Sequence, residues 1–131
     1  MPINPLWASR VLSLLRVIAG LLFIQHGLTK FLGFPGPHPH GFIFPMSIYG
    51  LAGVIEVVGG ALIAIGLFTR VAAFIASGEM AVAYFMAHLP HSIYPIVNHG
   101  DLAIMFCFVF LYLAAAGAGA WSLDRMLRQA A

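Results

Sequence analysis

The sequence predicts an all-α integral membrane protein, an antiparallel four-helix bundle with both termini in the cytoplasm. Of its 131 residues, 62% are hydrophobic and only 8% are charged, whereas a soluble domain carries about a quarter charged residues. The mean hydropathy is +0.99. Four apolar stretches each approach the roughly 20 residues that a helix needs to cross a hydrocarbon core of about 30 Å.

The four predicted spans are residues 11–34, 46–68, 71–89 and 102–119. The connections are too short for a soluble domain, so residues 1–131 are expected to form a single membrane domain. Prolines after the first span end that helix, because proline cannot continue the hydrogen-bond ladder. Gly66 and the Thr69-Arg70 pair form the next turn, and Asn98 is expected to cap the last helix, which begins near Asp101.

The basic residues predict the orientation. Arg10, Arg70, Arg125 and Arg128 lie at the N-terminus, in the second loop and at the C-terminus, and only Lys30 falls on the opposite side. Positive residues favour the cytoplasmic face, which places both termini there. The first span exceeds a signal-peptide core and lacks a cleavage site, so it is expected to be retained.

The six histidines should share the extracytoplasmic side of this topology. They lie at or beyond the outer ends of the predicted helices: His26, His38, His40, His88, His91 and His99. Any titrating or ligand-binding chemistry of imidazoles is therefore expected in the outer half of the membrane.

Several function classes are excluded or disfavoured by composition. The net charge of +2 arises from few groups and does not indicate nucleic-acid binding. A single cysteine, Cys107, allows neither an intrachain disulfide nor a dithiol redox motif. No metal-ligand spacing, flavin or dinucleotide motif, or iron–sulfur cysteine set is present, so a redox role would need an electron-supplying protein partner or a loosely bound cofactor.

Glu56 and Glu79 are the most informative residues, because each lies near the middle of an apolar span. An ionised carboxylate there costs several kcal/mol unless it is paired, hydrated or protonated. Arg16 in the first span is the expected partner. Two glutamates against one arginine leave an excess carboxyl that is expected to be protonated, which suits proton-linked chemistry. A purely structural ion pair that fixes helix register is the equally weighted alternative.

His26 and Lys30 are four residues apart and therefore lie on one face near the outer end of the first helix. They could present an imidazole and an ammonium group to an anionic or carbonyl-bearing ligand. The alternative is an interfacial histidine beside a lysine that extends toward the headgroups.

Tyr84 and His88 form another such pair on the third helix. Glu79 and His88, nine residues apart, fall on opposite sides of an ideal helix, so both can face the bundle only if the helix is distorted. His88 with His26 or His99 could form a paired-imidazole haem site. This signal is weak, since no ligand-spaced motif accompanies it.

The pattern Leu15-Arg16, Gly20, Phe23, His26-Gly27, Lys30-Phe31 resembles the first helix of the DoxX family. Gly53, Glu56, Gly59-Gly60 and the Gly66–Arg70 run resemble its second segment, and Gly117–Asp124 is similar to its final Gly-x-Gly and Ser-Leu-Asp signature. The resemblance covers about residues 10–127. It implies a small four-helix bacterial inner-membrane protein, often named as an oxidoreductase, whose relatives include a subunit thought to act at quinone. The family positions map onto Arg16, His26, Lys30 and Glu56.

The leading hypothesis is a multi-pass membrane redox subunit that binds a quinone or similar hydrophobic carbonyl ligand near the extracytoplasmic side. His26 and Lys30, with Tyr84, His88 and His99 nearby, would contact the ligand, and Glu56, Arg16 and Glu79 would handle protons. A non-catalytic assembly or scaffold subunit is the main alternative. A small-solute transporter or a haem protein is less favoured. The cofactor, the partner and homo-oligomerisation stay open.

Overall fold

In a computed structural model, which describes all of residues 1–131, the protein is entirely helical. The chain forms five helices joined by loops and two single helical turns, Leu89–His91 and Pro95–Asn98. The helices are α1 (Pro5–Leu32), α2 (Ile48–Ile65), α3 (Thr69–His88), α4 (Asp101–Ala116) and α5 (Leu123–Ala130). The prediction of an all-helical membrane protein is confirmed.

Three helices, α1 to α3, are long and apolar enough to cross a membrane, and α4 is a shorter apolar helix of 16 residues. At 1.5 Å per residue, α4 is about 24 Å long and falls short of a full hydrocarbon core. Large apolar side chains are exposed along these helices, Phe74 by 66% and Phe108 by 64%. This is the outward-facing hydrophobicity of helices that contact lipid.

The start of α1 and the cap of α4 differ from what the sequence predicts. Helix α1 begins at Pro5 rather than at residue 11, because the Asn4 side chain accepts a hydrogen bond from the Leu6 N–H and proline occupies the first position. The prediction that Asn98 caps α4 is wrong. Its side-chain oxygen accepts from the Gly100 N–H, 2.8 Å away, and so closes the turn that precedes α4.

The bundle is built from two packed pairs, α1 with α2 and α3 with α4. Gly20 and Gly60 bring the backbones of α1 and α2 together, since a Cβ atom on Gly20 would lie 2.8 Å from the Gly60 carbonyl oxygen. The pairs meet through aromatic packing in which the Phe23 ring lies 4.7 Å from that of Phe110 and 5.5 Å from that of Phe106. The core is therefore a thin central layer of aromatic and small residues.

Arg16 is fully enclosed, with 1% of its surface exposed, and its partners are backbone carbonyls. Its guanidinium donates to Ile63 and Ala64 at 2.7 Å each, in the last turn of α2. It also donates to Ala118 at 2.9 Å and to Trp121 at 2.5 Å. The predicted pairing of Arg16 with a glutamate is wrong. The Arg16 guanidinium donates instead to carbonyl oxygens of a helix C-terminus and a loop, whose partial negative charge stabilises it.

Arg70, at the start of α3, binds the C-terminal carbonyl oxygens of α4 in the same way. Its guanidinium donates to the carbonyl oxygens of Ala114 and Ala115 at 3.0 and 2.5 Å. An arginine from the first helix of each pair thus satisfies the C-terminal carbonyls of the second helix, which have no partner within their own helix. We call this end of the bundle, with Arg10, Arg16, Arg70, Arg125 and Arg128, the arginine end.

The C-terminal segment closes the arginine end. Gly117 and Gly119 adopt positive φ angles of 88° and 83°, which glycine tolerates and other residues rarely adopt. The Trp121 N–H donates to the Ser13 hydroxyl at 3.0 Å, so both termini lie at the same end of the bundle. Asp124 accepts hydrogen bonds from the N–H groups of Phe68 and Thr69 at 2.8 and 3.0 Å, at the start of α3.

We expect Arg16→Lys to destabilise the protein strongly, by at least about 3 kcal/mol, because an ammonium cannot reproduce the planar fork and leaves buried carbonyls without donors. Thermal unfolding of the purified protein in detergent measures the effect as a lower Tm. Arg125→Gln, at an exposed arginine of the same end, is the control and should leave the Tm nearly unchanged. A Tm of Arg16→Lys equal to that of wild type would contradict this role.

Asp124 should make stability pH-dependent. Burial alone would raise its pKa, but the N–H donors of Thr69 and Phe68 outweigh burial and hold the pKa of Asp124 below its usual value. The stabilisation is therefore present above pH about 4 and is lost as the pH falls through the lowered pKa. We expect the wild-type Tm to drop between pH 5 and pH 3 more steeply than the Tm of Asp124→Asn. Parallel curves would contradict the assignment.

Candidate functional site

A cavity of about 990 Å³ lies at the end of the bundle opposite the arginines. All six histidines line it, together with three of the four charged residues of the predicted spans, Lys30, Glu56 and Glu79. We call it the histidine-end cavity. The fourth charged residue, Arg16, is not part of its lining.

Lys30 and Glu56 form an ion pair that joins α1 to α2. The Lys30 ammonium lies 2.6 and 2.5 Å from the two carboxylate oxygens of Glu56, and it is the only salt bridge in the protein. Glu56 is 3% exposed. Gly53, one turn before Glu56, makes room for the lysine, since a Cβ there would lie 2.7 Å from the Phe31 ring and 3.3 Å from Lys30 Cδ. The pair is therefore held within packed surroundings.

Glu79 faces the same pair from α3. It lies within electrostatic range of both Glu56 and Lys30, and its Oε2 atom is buried without a hydrogen-bond partner. One ammonium thus stands among two carboxyl groups, and it binds only one of them directly. An orphaned buried carboxyl oxygen is costly unless it carries a proton or meets a ligand.

Both helices that bring glutamates to the cavity contain a π-helical turn. In α2 the turn spans Ile55–Gly59 and carries Glu56. In α3 it spans Tyr84–His88, which is the distortion that the spacing of Glu79 and His88 requires, and both side chains line the cavity. Such turns are rare and occur frequently at functional sites.

The histidines surround the charged centre. His26 contacts the Phe106 ring edge-on at 5.8 Å. His88 Nδ1 lies 3.0 Å from the Asn98 carbonyl oxygen, which fixes the orientation of its ring. His99 follows the short turn with a positive φ of 58°. In the loop above the cavity, burial and then the nearby charges of Lys30 and His40 lower the pKa of His38, so its imidazole is neutral at pH 7.

Tyr84, which was expected to contact a ligand, lies outside the cavity lining. Its hydroxyl accepts a hydrogen bond from the Asn98 side chain at 3.3 Å, and its ring stacks on His88 with a centroid distance of 6.3 Å. The ring also occupies the space that a side chain on Gly100 would need. Tyr84 therefore contacts His88 and the turn before α4 without lining the cavity.

The model of the family named DoxX matches residues 11–89, more than half of the chain. The chain belongs to the DoxX family. The matched segment contains the four charged residues of the predicted spans, Arg16, Lys30, Glu56 and Glu79. The expected family assignment is confirmed.

This DoxX-family chain is similar to two bacterial proteins. An uncharacterised protein of Haemophilus influenzae is 46% identical over 119 residues, covering 86% of this chain and 87% of that protein. A Bacillus subtilis protein named "Putative oxidoreductase CatD" is 43% identical over 60 residues, covering 44% of this chain and 45% of that protein. No solved structure matches this chain.

Sequence reasoning on this DoxX-family chain missed the partner of Glu56. Lys30 was assigned to ligand binding with His26, whereas the structure pairs it with the glutamate. The predicted topology gave no direct signal, because it places Lys30 near the outer end of the first span and Glu56 near the middle of the second. The long lysine side chain bridges that difference in depth. Asn98 was also missed as a buried residue, 4% exposed, that connects Tyr84, Ser92 and Gly100.

We expect the Lys30–Glu56 pair to behave as a unit in a double-mutant cycle. Lys30→Met leaves a buried carboxyl without its cation and should destabilise the protein by roughly 3 kcal/mol, whereas Lys30→Met with Glu56→Leu should recover much of that loss. Thermal unfolding in detergent measures all four proteins. Additive effects of the two substitutions would show that the pair is not coupled.

Proposed function

We propose that this protein is a membrane redox subunit that binds a quinone or a similar small hydrophobic carbonyl compound in the histidine-end cavity. The observation that supports the proposal most is the grouping of one ion pair, Lys30–Glu56, with the unpartnered carboxyl oxygen of Glu79 in one cavity. Such convergent polar groups in a largely apolar cavity are typical of ligand sites.

The residues present fit a ligand of this class. The Lys30 ammonium and the His26 imidazole can donate hydrogen bonds to carbonyl oxygens, and the walls are apolar, with Ile55 and Met80 among them. A volume of about 990 Å³ is at the upper end of the range of small-molecule sites. The orphaned Oε2 of Glu79 would gain a partner when a ligand oxygen lies beside it.

Glu79 is proposed to hold the proton. Reduction of a quinone supplies a reaction in which each electron is accompanied by a proton, so a carboxylic acid beside the ligand has a chemical use. Because Lys30 is already bound to Glu56, a second carboxylate there would lack a cation, which favours the neutral acid at Glu79. Glu79 can then donate its proton to a ligand oxygen, while Glu56 keeps the ammonium in place.

Electrons would come from a protein partner. The word oxidoreductase in the name of the Bacillus subtilis relative supports redox chemistry, and that match covers 60 residues. The arginine end would face the cytoplasm of a bacterial inner membrane, which follows from the bias of positive residues toward that side. The histidine-end cavity would then open toward the extracytoplasmic half.

A scaffold role in a membrane complex is the second candidate. It is favoured by Arg16, whose guanidinium donates four hydrogen bonds to backbone carbonyls and so joins α1 to α2 and to the C-terminal segment. Under this alternative, Glu56→Gln would lower thermal stability without a separate loss of ligand binding. The two candidates thus differ in what substitutions at the cavity change.

The proposal predicts that quinone co-purifies with the protein from native membranes. We expect Lys30→Ala and Glu79→Gln each to lower the amount of quinone per protein about tenfold, since each removes about 1.4 kcal/mol of polar contact. Mass spectrometry of solvent extracts measures the quinone. Arg125→Gln, on the opposite end, is the control. Equal quinone in wild type and folded variants, or none in wild type, would overturn the proposal.

A further inference from the structure

The side of the histidine-end cavity between α2 and α3 is bordered by exposed apolar residues. Ile48 and Leu51 of α2 are 56% and 59% exposed, and Ile75 and Val82 of α3 are 49% and 53% exposed, although all four line the cavity. Residues that both line a cavity and face outward mark its opening. In a membrane, outward-facing apolar residues of spanning helices border lipid acyl chains.

Gly78 lies in the middle of α3 at this opening. It lines the cavity, and a Cβ atom built on it would meet no atom within 4 Å. Glycine in a helix interior lowers helix stability relative to alanine. Glycine usually occurs in a helix where φ is positive or where a neighbouring backbone packs closely. Neither reason applies to Gly78, because its φ is ordinary and no neighbouring backbone packs against it. What the missing side chain leaves is open space, directly before Glu79 in the chain.

A loop borders the outer end of the cavity, with His38, Pro39, His40 and Ile43 in the lining. This loop is tied to α1 by a hydrogen bond from the Ile43 N–H to the Lys30 carbonyl oxygen at 2.9 Å. A ligand that arrived from water would meet this loop and its two histidines, whereas one dissolved in lipid meets the exposed apolar residues of α2 and α3.

We infer that the gap between α2 and α3 at Gly78 is a lateral portal through which a lipid-dissolved ligand enters head first, its apolar tail remaining in the gap. The inference rests on the proposed function and specifies its substrate class, a carbonyl headgroup carrying a long hydrocarbon tail. The polar head reaches Glu79 and Lys30, and the tail lies between the exposed apolar stripes of the two helices. Gly78 is then a specificity-determining residue, since it leaves the space that the tail crosses.

The test compares two quinones with the same headgroup, one with a long isoprenoid tail and one without a tail, binding to the purified protein in lipid nanodiscs. Gly78→Leu fills the gap without removing a polar group. We expect it to weaken binding of the tailed quinone at least tenfold and binding of the tail-less quinone less than twofold. Gly78→Ala adds only a Cβ in open space and should change neither by more than twofold.

Ala61→Leu is the matched control, because it adds the same side chain at an exposed position of α2 that does not line the cavity. It should bind both quinones as wild type does, and thermal unfolding checks that every variant is folded. Equal weakening of both quinones by Gly78→Leu, or weakening of neither, would overturn the portal. Absence of binding of either quinone to wild type would instead overturn the proposed function.

Discussion

A charged side chain within the hydrocarbon core must find its partners inside the protein, and this constraint determines how the two ends of the bundle differ. At the arginine end the partners are backbone carbonyls. Arg16 and Arg70 each donate hydrogen bonds to the C-terminal carbonyls of a neighbouring helix, which are the partially negative end of its dipole. These contacts cross-link helices and use four of the five N–H donors of the buried Arg16 guanidinium. All its recorded partners belong to the protein's own backbone.

At the histidine end the same constraint is met incompletely. Lys30 neutralises Glu56, but Glu79 remains beside them with a buried oxygen that nothing in the protein satisfies. A packed interior normally pairs such groups, so the exceptions tend to fall where a structure does chemistry. The two π-helical turns are a second irregularity at this end. Regular α-helical hydrogen bonding is interrupted at Ile55–Gly59 and at Tyr84–His88, each in a helix that borders the cavity. Under the proposed function, stability and chemistry are thus separated along the length of the bundle.

Hydropathy was sufficient to predict the all-helical membrane fold, because the need for internal backbone hydrogen bonds leaves helices as the solution for such apolar stretches. It could not assign partners among the buried charges. Arg16 and the glutamates carry opposite charge, yet the carbonyls at the end of α2 and in the loop after α4 are nearer to Arg16, and no residue type in the sequence marks a carbonyl as an acceptor. The distortion of α3 was foreseeable from the spacing of Glu79 and His88, whereas the turn that carries Glu56 has no such signal.

The motifs by which the chain resembles its family are therefore of two kinds. The Gly117–Asp124 segment and Arg16 build the arginine end, where Asp124 caps α3 and positive φ angles let the chain turn beneath α1. These residues specify the fold and say nothing of a reaction. Lys30 and Glu56 line the cavity instead, where the proposed function places the ligand. The residues that surround this pair in the cavity are Glu79 and the histidines, and the proposed proton donor is among them.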